Sequence, residues 1–306
     1  MNAYFTDLAN REYDKLKRGE PYFYIGEGNP DANILIIGNE CAIGDGDYRL
    51  ENDIEFQSLT DPAAKMLRKE KVIAEHNVRK WKYITERNDV VENLHSDLYR
   101  WHYGTDSEVS ELLQGDRHRF YPLFPEFGQK CTTGKGGTAR TWVRYQQLIN
   151  GAVDNHAGEV RNLIDFHHFC FHTELSQIPL KSSKMADTDL TRKSVQLRME
   201  QLFTHPFFRK FPVIIIAAGH YVDKYVFKNN DGQYDDKRII KTFNVAYDRS
   251  CGRKGAWIQL HHGGNDCNSP HLLLHTCHLG SRVGYDYIED ILELIYDVIR
   301  PYDSDN

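Results

Sequence analysis

Residues 33–40 read NILIIGNE. The apolar stretch 33–37 is too short for a buried helix and lacks the alternation of a strand with one wet face. It predicts a strand covered on both sides and ended by Gly38. Three later segments have the same character: 166–171 (FHHFCF), 213–218 (VIIIAA) and 271–274 (HLLL). Helical patterns separate them. Residues 142–153 are amphipathic with Leu148 and Ile149 inward, Thr188 can cap a helix running to about residue 203, and residues 285–299 carry Ile288, Ile291, Leu292, Ile295 and Ile299 on one face. Buried strands alternating with helices predict an α/β fold: three αβα layers around a central, mainly parallel, four-stranded sheet.

Around this frame, residues 7–17 predict a first helix, and 242–247 with 257–261 alternate about the turn 251–255 as a hairpin at the sheet margin. Residues 47–120 are highly charged and rich in helix formers, notably 63–82 and 86–100, which predicts a helical insertion after the first strand. All 306 residues are expected to form one domain, since no repeat or low-complexity tract divides them. A net charge of −6 argues against nonspecific coating of nucleic acid, while Lys130, Lys135, Arg140 and Arg144, and Lys181, Lys184, Arg192, Lys193 and Arg198, leave room for a local basic groove. Six scattered cysteines fit a reducing compartment, and the longest apolar run, 213–218, is too short to span a bilayer. A cytoplasmic monomer without a membrane partner is the expectation.

Ligands of an open parallel sheet sit where loops leave the carboxyl ends of its strands. Here those loops are Gly38-Asn39-Glu40-Cys41-Ala42, His172-Thr173-Glu174-Leu175-Ser176, Gly219-His220-Tyr221 and His275-Thr276-Cys277-His278-Leu279-Gly280-Ser281. A carboxylate, several imidazoles and a Ser-containing turn would share one rim.

In this order IIGNE, FCFHTELS, IIIAAGHY and LLLHTCHLGS resemble the strand-end motifs of the uracil-DNA glycosylase superfamily, over residues 33–42 and about 138–299. Glu40 stands where that family has Asp or Asn, no Pro follows it, His172 replaces the base-reading Asn, and Leu279-Gly280 replace the Pro of a His-Pro-Ser loop. The resemblance implies a DNA glycosylase fold and DNA, single- or double-stranded, as partner. It implies Glu40 and His278 as catalytic, Asn39, Phe124, Phe127 and His172 as base-binding, and Lys135, Thr138, Ser176, Ser281 and Arg282 as DNA-binding. Arg282 or Val283 would wedge the duplex when the nucleotide flips out.

Residue types support that chemistry. Cleaving a base–sugar bond builds positive charge on the sugar, which a carboxylate such as Glu40 stabilises while it orients water, and negative charge on the base, which a donor such as His278 meets. A module that binds nucleobase, nucleotide or DNA without hydrolysis is the alternative, motivated by the altered base-reading and carboxylate positions. A hydrolase using Ser281 or Cys277 with His278 is a third, without the G-x-S-x-G elbow. Gly134-Lys135-Gly136-Gly137-Thr138 lacks the spacing of a nucleotide-triphosphate loop. No cofactor or metal is expected: His275 and His278 are the nearest thing to a zinc pair and should point apart, and the cysteines do not cluster for iron–sulfur.

Overall fold

Burial along the central strands alternates between two covering layers, as a period of two requires. The computed structural model describes residues 2–40, 46–87, 115–116, 118–126, 129–135, 137–153, 163–180, 189–219, 221, 237–253, 255–264, 269–280 and 283–299, without the side chains of Glu40, Lys237 and Arg238. Its strands are β1 (Glu27–Gly28), β2 (Ile34–Glu40), β3 (Cys170–Ser176), β4 (Val213–Ile216), β5 (Val245–Arg253), β6 (Ala256–Gly263) and β7 (Leu272–Thr276). Helices are α1 (Ala3–Arg18), α2 (Ile54–Ser58), α3 (Pro62–Glu86), α4 (Arg140–Val153), α5 (Asp189–Leu197), α6 (Pro206–Arg209), α7 (Lys237–Phe243) and α8 (Tyr285–Ile299).

The class is α/β, but the sheet is mixed and seven-stranded, in the order β1-β3-β2-β4-β7-β6-β5. The expectation of four strands missed β1 and the way the hairpin joins the sheet. β3, β2, β4 and β7 pair in parallel, β1 runs antiparallel on β3, and the hairpin β5–β6 continues the other side antiparallel through β6 on β7. On one face Leu35, Ile37, Phe171, Ile214 and Ile216 pack with Phe5 and Leu8 of α1 and Val78 and Trp81 of α3. On the other Ile34, Ile36, Val213, Ile215 and Leu274 pack with Tyr145 and Leu148 of α4 and Ile288 and Ile291 of α8. Of the segment 47–120, residues 88–114 and 117 lie outside the described residues, and α3 is part of the first covering layer. No helix among the described residues is long and apolar enough to cross a membrane.

Three strand boundaries move toward the carboxyl end. β2 continues through Asn39 and Glu40 instead of ending at Gly38. β3 starts at Cys170, because Phe166–His168 forms a 3-10 turn, so His172 lies inside the strand and not in the loop after it. β7 likewise takes in His275 and Thr276. The helix expected to run from Thr188 to about 203 is α5 followed by a π-helical turn, Arg198–Leu202.

That turn delivers Arg198, which is fully buried, to the end of β3. Its Nε donates to the Glu174 carbonyl at 3.0 Å, one terminal nitrogen to the Tyr24 carbonyl at 2.7 Å, and the other to Thr173 Oγ1 at 3.0 Å. Removing the guanidinium strands three buried acceptors, each costing about 1–3 kcal/mol unpaired. Arg198→Met is therefore expected to lower unfolding free energy by about 3–5 kcal/mol. Arg198→Lys should recover only part of that, because an ammonium lacks the planar fork. Urea denaturation of the three proteins checks this.

Candidate functional site

At the carboxyl ends of β2 and β3, on the side of α4, lies a cavity of about 900 Å³. Its walls include Asn39, Glu174, His172 and His278 from the strands and the loop after β7, and Thr138, Thr141, Trp142 and Tyr145 from the start of α4. Glu27, Asp47, Tyr48, Arg49, His118 and Tyr121 also line it.

Register explains the grouping. His172 and Glu174 are two residues apart on β3 and so share a face, and Glu174 stands opposite Gly38 of β2. A Cβ at Gly38 would come within 2.2 Å of Glu174 Oε2, so the bare glycine lets that carboxylate lie across β2. Glu27 stands opposite His172 in the antiparallel pair β1–β3, which sets the two side chains next to each other. The close approach of β1 depends on Gly28, at φ 95°, where a Cβ would meet the Cys170 carbonyl at 2.4 Å. Asn77 and Trp81 of α3 hold the chain just before β1: Asn77 accepts from the Ile25 amide at 3.0 Å, and Asn77 and Trp81 both donate to the Gly26 carbonyl at 2.8 Å.

The floor is a connected polar set. Tyr24 donates its hydroxyl to Glu27 Oε1 at 2.5 Å, and the Tyr121 hydroxyl donates to the same oxygen. Arg49 donates to the Tyr121 hydroxyl at 2.8 Å and grips Asp47 with two bonds of 2.7 and 2.8 Å. Its guanidinium lies 4.9 Å from the centre of the Tyr121 ring, while Tyr48 stacks on His118 at 3.7 Å. Beneath them His167, from the 3-10 turn, places Nε2 3.7 Å from Glu27 Oε2. His172 Nε2 is 3.3 Å from Glu174 Oε1, and Tyr145 packs on the His172 ring at 5.3 Å. Glu27, His167 and His172 are buried, and one donor atom from each lies within 4.8 Å of the others, a set able to hold a metal ion.

Charge states follow from these contacts. Burial opposes the His172 imidazolium, but the charge and hydrogen bonding of Glu174, with Glu27 behind, outweigh it and raise its pKa above the usual value. Burial drives His167 well below it. His278 is lowered by burial, with Glu174 opposing. The Tyr121 phenol is pushed well up by burial and by Glu27, so it remains a donor.

Of the residues expected at a site, Asn39, His172 and His278 meet on the cavity, and Thr138 lines its α4 edge. The side chain of Glu40, and Phe127, Ser281 and Arg282, lie outside the described residues. Phe124 packs away from the cavity against the apolar core and the His168 ring, 4.5 Å distant. Ser176 is buried, its hydroxyl accepting from the Ile178 amide at 3.2 Å, and Lys135 is exposed on the neighbouring loop. His275 uses its ring nitrogens within the sheet, 3.0 Å from Gln259 Oε1 and 3.1 Å from the Gly219 carbonyl, so it makes no pair with His278. No family model, curated protein or solved structure matches this chain. The residues that sequence reasoning passed over are Glu27, Glu174, Arg49, Tyr121 and His167. A two-residue strand has no periodicity to detect, and the one available signal was the placement of Glu27 between Gly26 and Gly28.

His76 sits 5.3 Å from the Tyr121 ring, and burial followed by the Arg49 charge lowers its pKa to about 3. Its folded form is the neutral one, so its contribution is complete above about pH 6.5 and is lost as pH falls toward 3. His172 has the opposite sign, contributing below about pH 6.5 and losing that contribution as pH rises through its raised folded value. The melting temperature is expected to fall between about pH 7 and pH 5, and to fall less in His76→Gln. Calorimetry of both proteins across that window measures the difference.

Proposed function

We propose that this chain is a DNA N-glycosidase, which receives a damaged or modified base flipped into the cavity and hydrolyses its bond to the sugar. The observation that carries the reading is the meeting of Asn39, His172, Glu174 and His278 on one cavity at the carboxyl ends of the parallel strands, large enough for a nucleotide and walled by aromatic rings. These are three of the four strand ends whose motifs resemble those of the uracil-DNA glycosylase superfamily. Tyr48 and Trp142, both partly exposed, offer rings on which a flat base can stack. Asn39 supplies an amide whose Oδ1 has no partner among the described residues, suited to a base edge.

Glu174 takes the carboxylate role in this reading, with Glu40 at the end of the neighbouring strand. Its negative charge faces the positive charge that develops on the sugar and orients the attacking water. The half-buried His278 donates to the departing base as negative charge moves onto it. Thr138 and the first turn of α4 meet the flanking phosphate.

A cavity that senses a base without cleaving it is the second reading, favoured by the pairing of Glu174 with His172 at 3.3 Å, which occupies the carboxylate. Incubating the protein with oligonucleotides carrying a broad panel of modified bases, and measuring free base by chromatography, decides between the two. Hydrolysis of at least one substrate is expected, with Glu174→Gln and His278→Ala each slowing it by about a hundredfold or more. Tight binding with no base released over long incubation would establish the sensing module.

A further inference from the structure

A buried ring nitrogen without a partner costs more than an ordinary hydrogen bond returns, and such atoms gather at the cavity floor. His167 Nε2 and His172 Nδ1 have no hydrogen-bond partner among the described residues, His172 Nε2 has only the Glu174 carboxylate 3.3 Å away, and each residue is 2% exposed. Glu27, directly across from His172 in the β1–β3 pair, completes a set whose donor atoms lie within 4.8 Å of one another.

The carboxylate is already oriented. The Tyr24 and Tyr121 hydroxyls both take Oε1, which leaves Oε2 on the His167 side, 3.7 Å from Nε2. That distance is too long for a hydrogen bond. It is close to the separation of about 3.4 Å between two donors each about 2.1 Å from a tetrahedral ion. Around the ligands stand the groups that metal sites use in support: two tyrosine hydroxyls on Glu27, and the Glu174 carboxylate beside His172 Nε2.

We propose that Glu27, His167 and His172 bind one divalent transition-metal ion, with zinc the best match to two imidazoles and a carboxylate. Glu27 and His172 also line the cavity, so the ion has an open coordination position toward it. Three protein ligands with a free fourth position is the arrangement of reactive rather than purely structural zinc, and it places a polarised water at the cavity floor. The site stands on its own geometry and does not depend on the glycosidase reading.

The test uses the full chain, stripped with a chelator and titrated with Zn²⁺ by calorimetry, and with Co²⁺ by visible absorption. One ion per chain is expected, with the intense bands of four- or five-coordinate Co²⁺. Loss of a supporting group weakens binding about 10–100-fold, so Glu174→Gln should fall in that range and His167→Ala and Glu27→Gln beyond about a hundredfold. The exposed His262→Ala should bind as wild type. Less than one zinc per wild-type chain at micromolar concentration, a weak octahedral Co²⁺ spectrum, or unchanged affinity in folded His167→Ala and Glu27→Gln overturns the proposal. Because the wild-type Co²⁺ spectrum reports the ligands directly, the test survives a variant that fails to fold. No zinc bound while base release continues overturns the metal site alone, and one zinc bound with no base released overturns the glycosidase reading alone.

Discussion

A guanidinium out of reach of water holds the walls of the cavity in place. Arg198 is bonded to the Tyr24 and Glu174 carbonyls and the Thr173 hydroxyl, so it joins the segment leading into β1 to the last turns of β3. Taking such a charge out of water costs several kcal/mol, and its hydrogen bonds must offset that. Gln177 extends the arrangement: its side-chain oxygen accepts from the Tyr24 amide at 3.1 Å and its amide donates to Glu70 at 2.7 Å, whose carboxyl burial raises. Tyr24 then reaches Glu27, and Glu174 reaches His172. The positions of Glu27 and Glu174 are thus tied to a residue that does not line the cavity.

The cavity itself alternates sign over short distances. Arg49 is matched by Asp47 on one side and donates through its third nitrogen to Tyr121, which passes a hydrogen bond to Glu27. Glu27 and Glu174 flank His172, one across the β1–β3 pair and one along the same strand. At the buried floor such fixed dipoles act more strongly than they would in bulk water, and they need no rearrangement when a charged species arrives.

Much of the frame was legible in residues 33–40 and in segments like it. The four apolar runs mark the four parallel strands, although 166–171 reaches β3 only at its last two residues; the expected hairpin is β5 and β6, shifted so that residues 242–243 end α7 and 251–253 of the expected turn belong to β5; and α8 spans the residues read from its apolar stripe. What sequence could not give was where strands end. His167 and His168 sat inside an apolar run and were read as strand, whereas Phe166–His168 turns first and so aims His167 at the floor. His172, expected in a loop, consequently belongs to β3 and acquires Glu27 as a cross-strand neighbour. Glu27 could not have been placed beforehand, because its position depends on a pairing between residues about 145 apart in the chain. Trp142 and Tyr145 were read as part of an amphipathic helix, and both are: the residues that cover the sheet at the start of α4 also form the cavity wall.

The missing side chain at Gly38 has a consequence for how such a chain changes through descent. Glu174 Oε2 occupies the space where a Cβ at 38 would sit. A side chain at 38 would require the Glu174 carboxylate, the far end of a flexible side chain, to swing away from its place across β2. The two positions, 136 residues apart, are therefore coupled: any substitution at 38 also changes where the carboxylate stands beside His172.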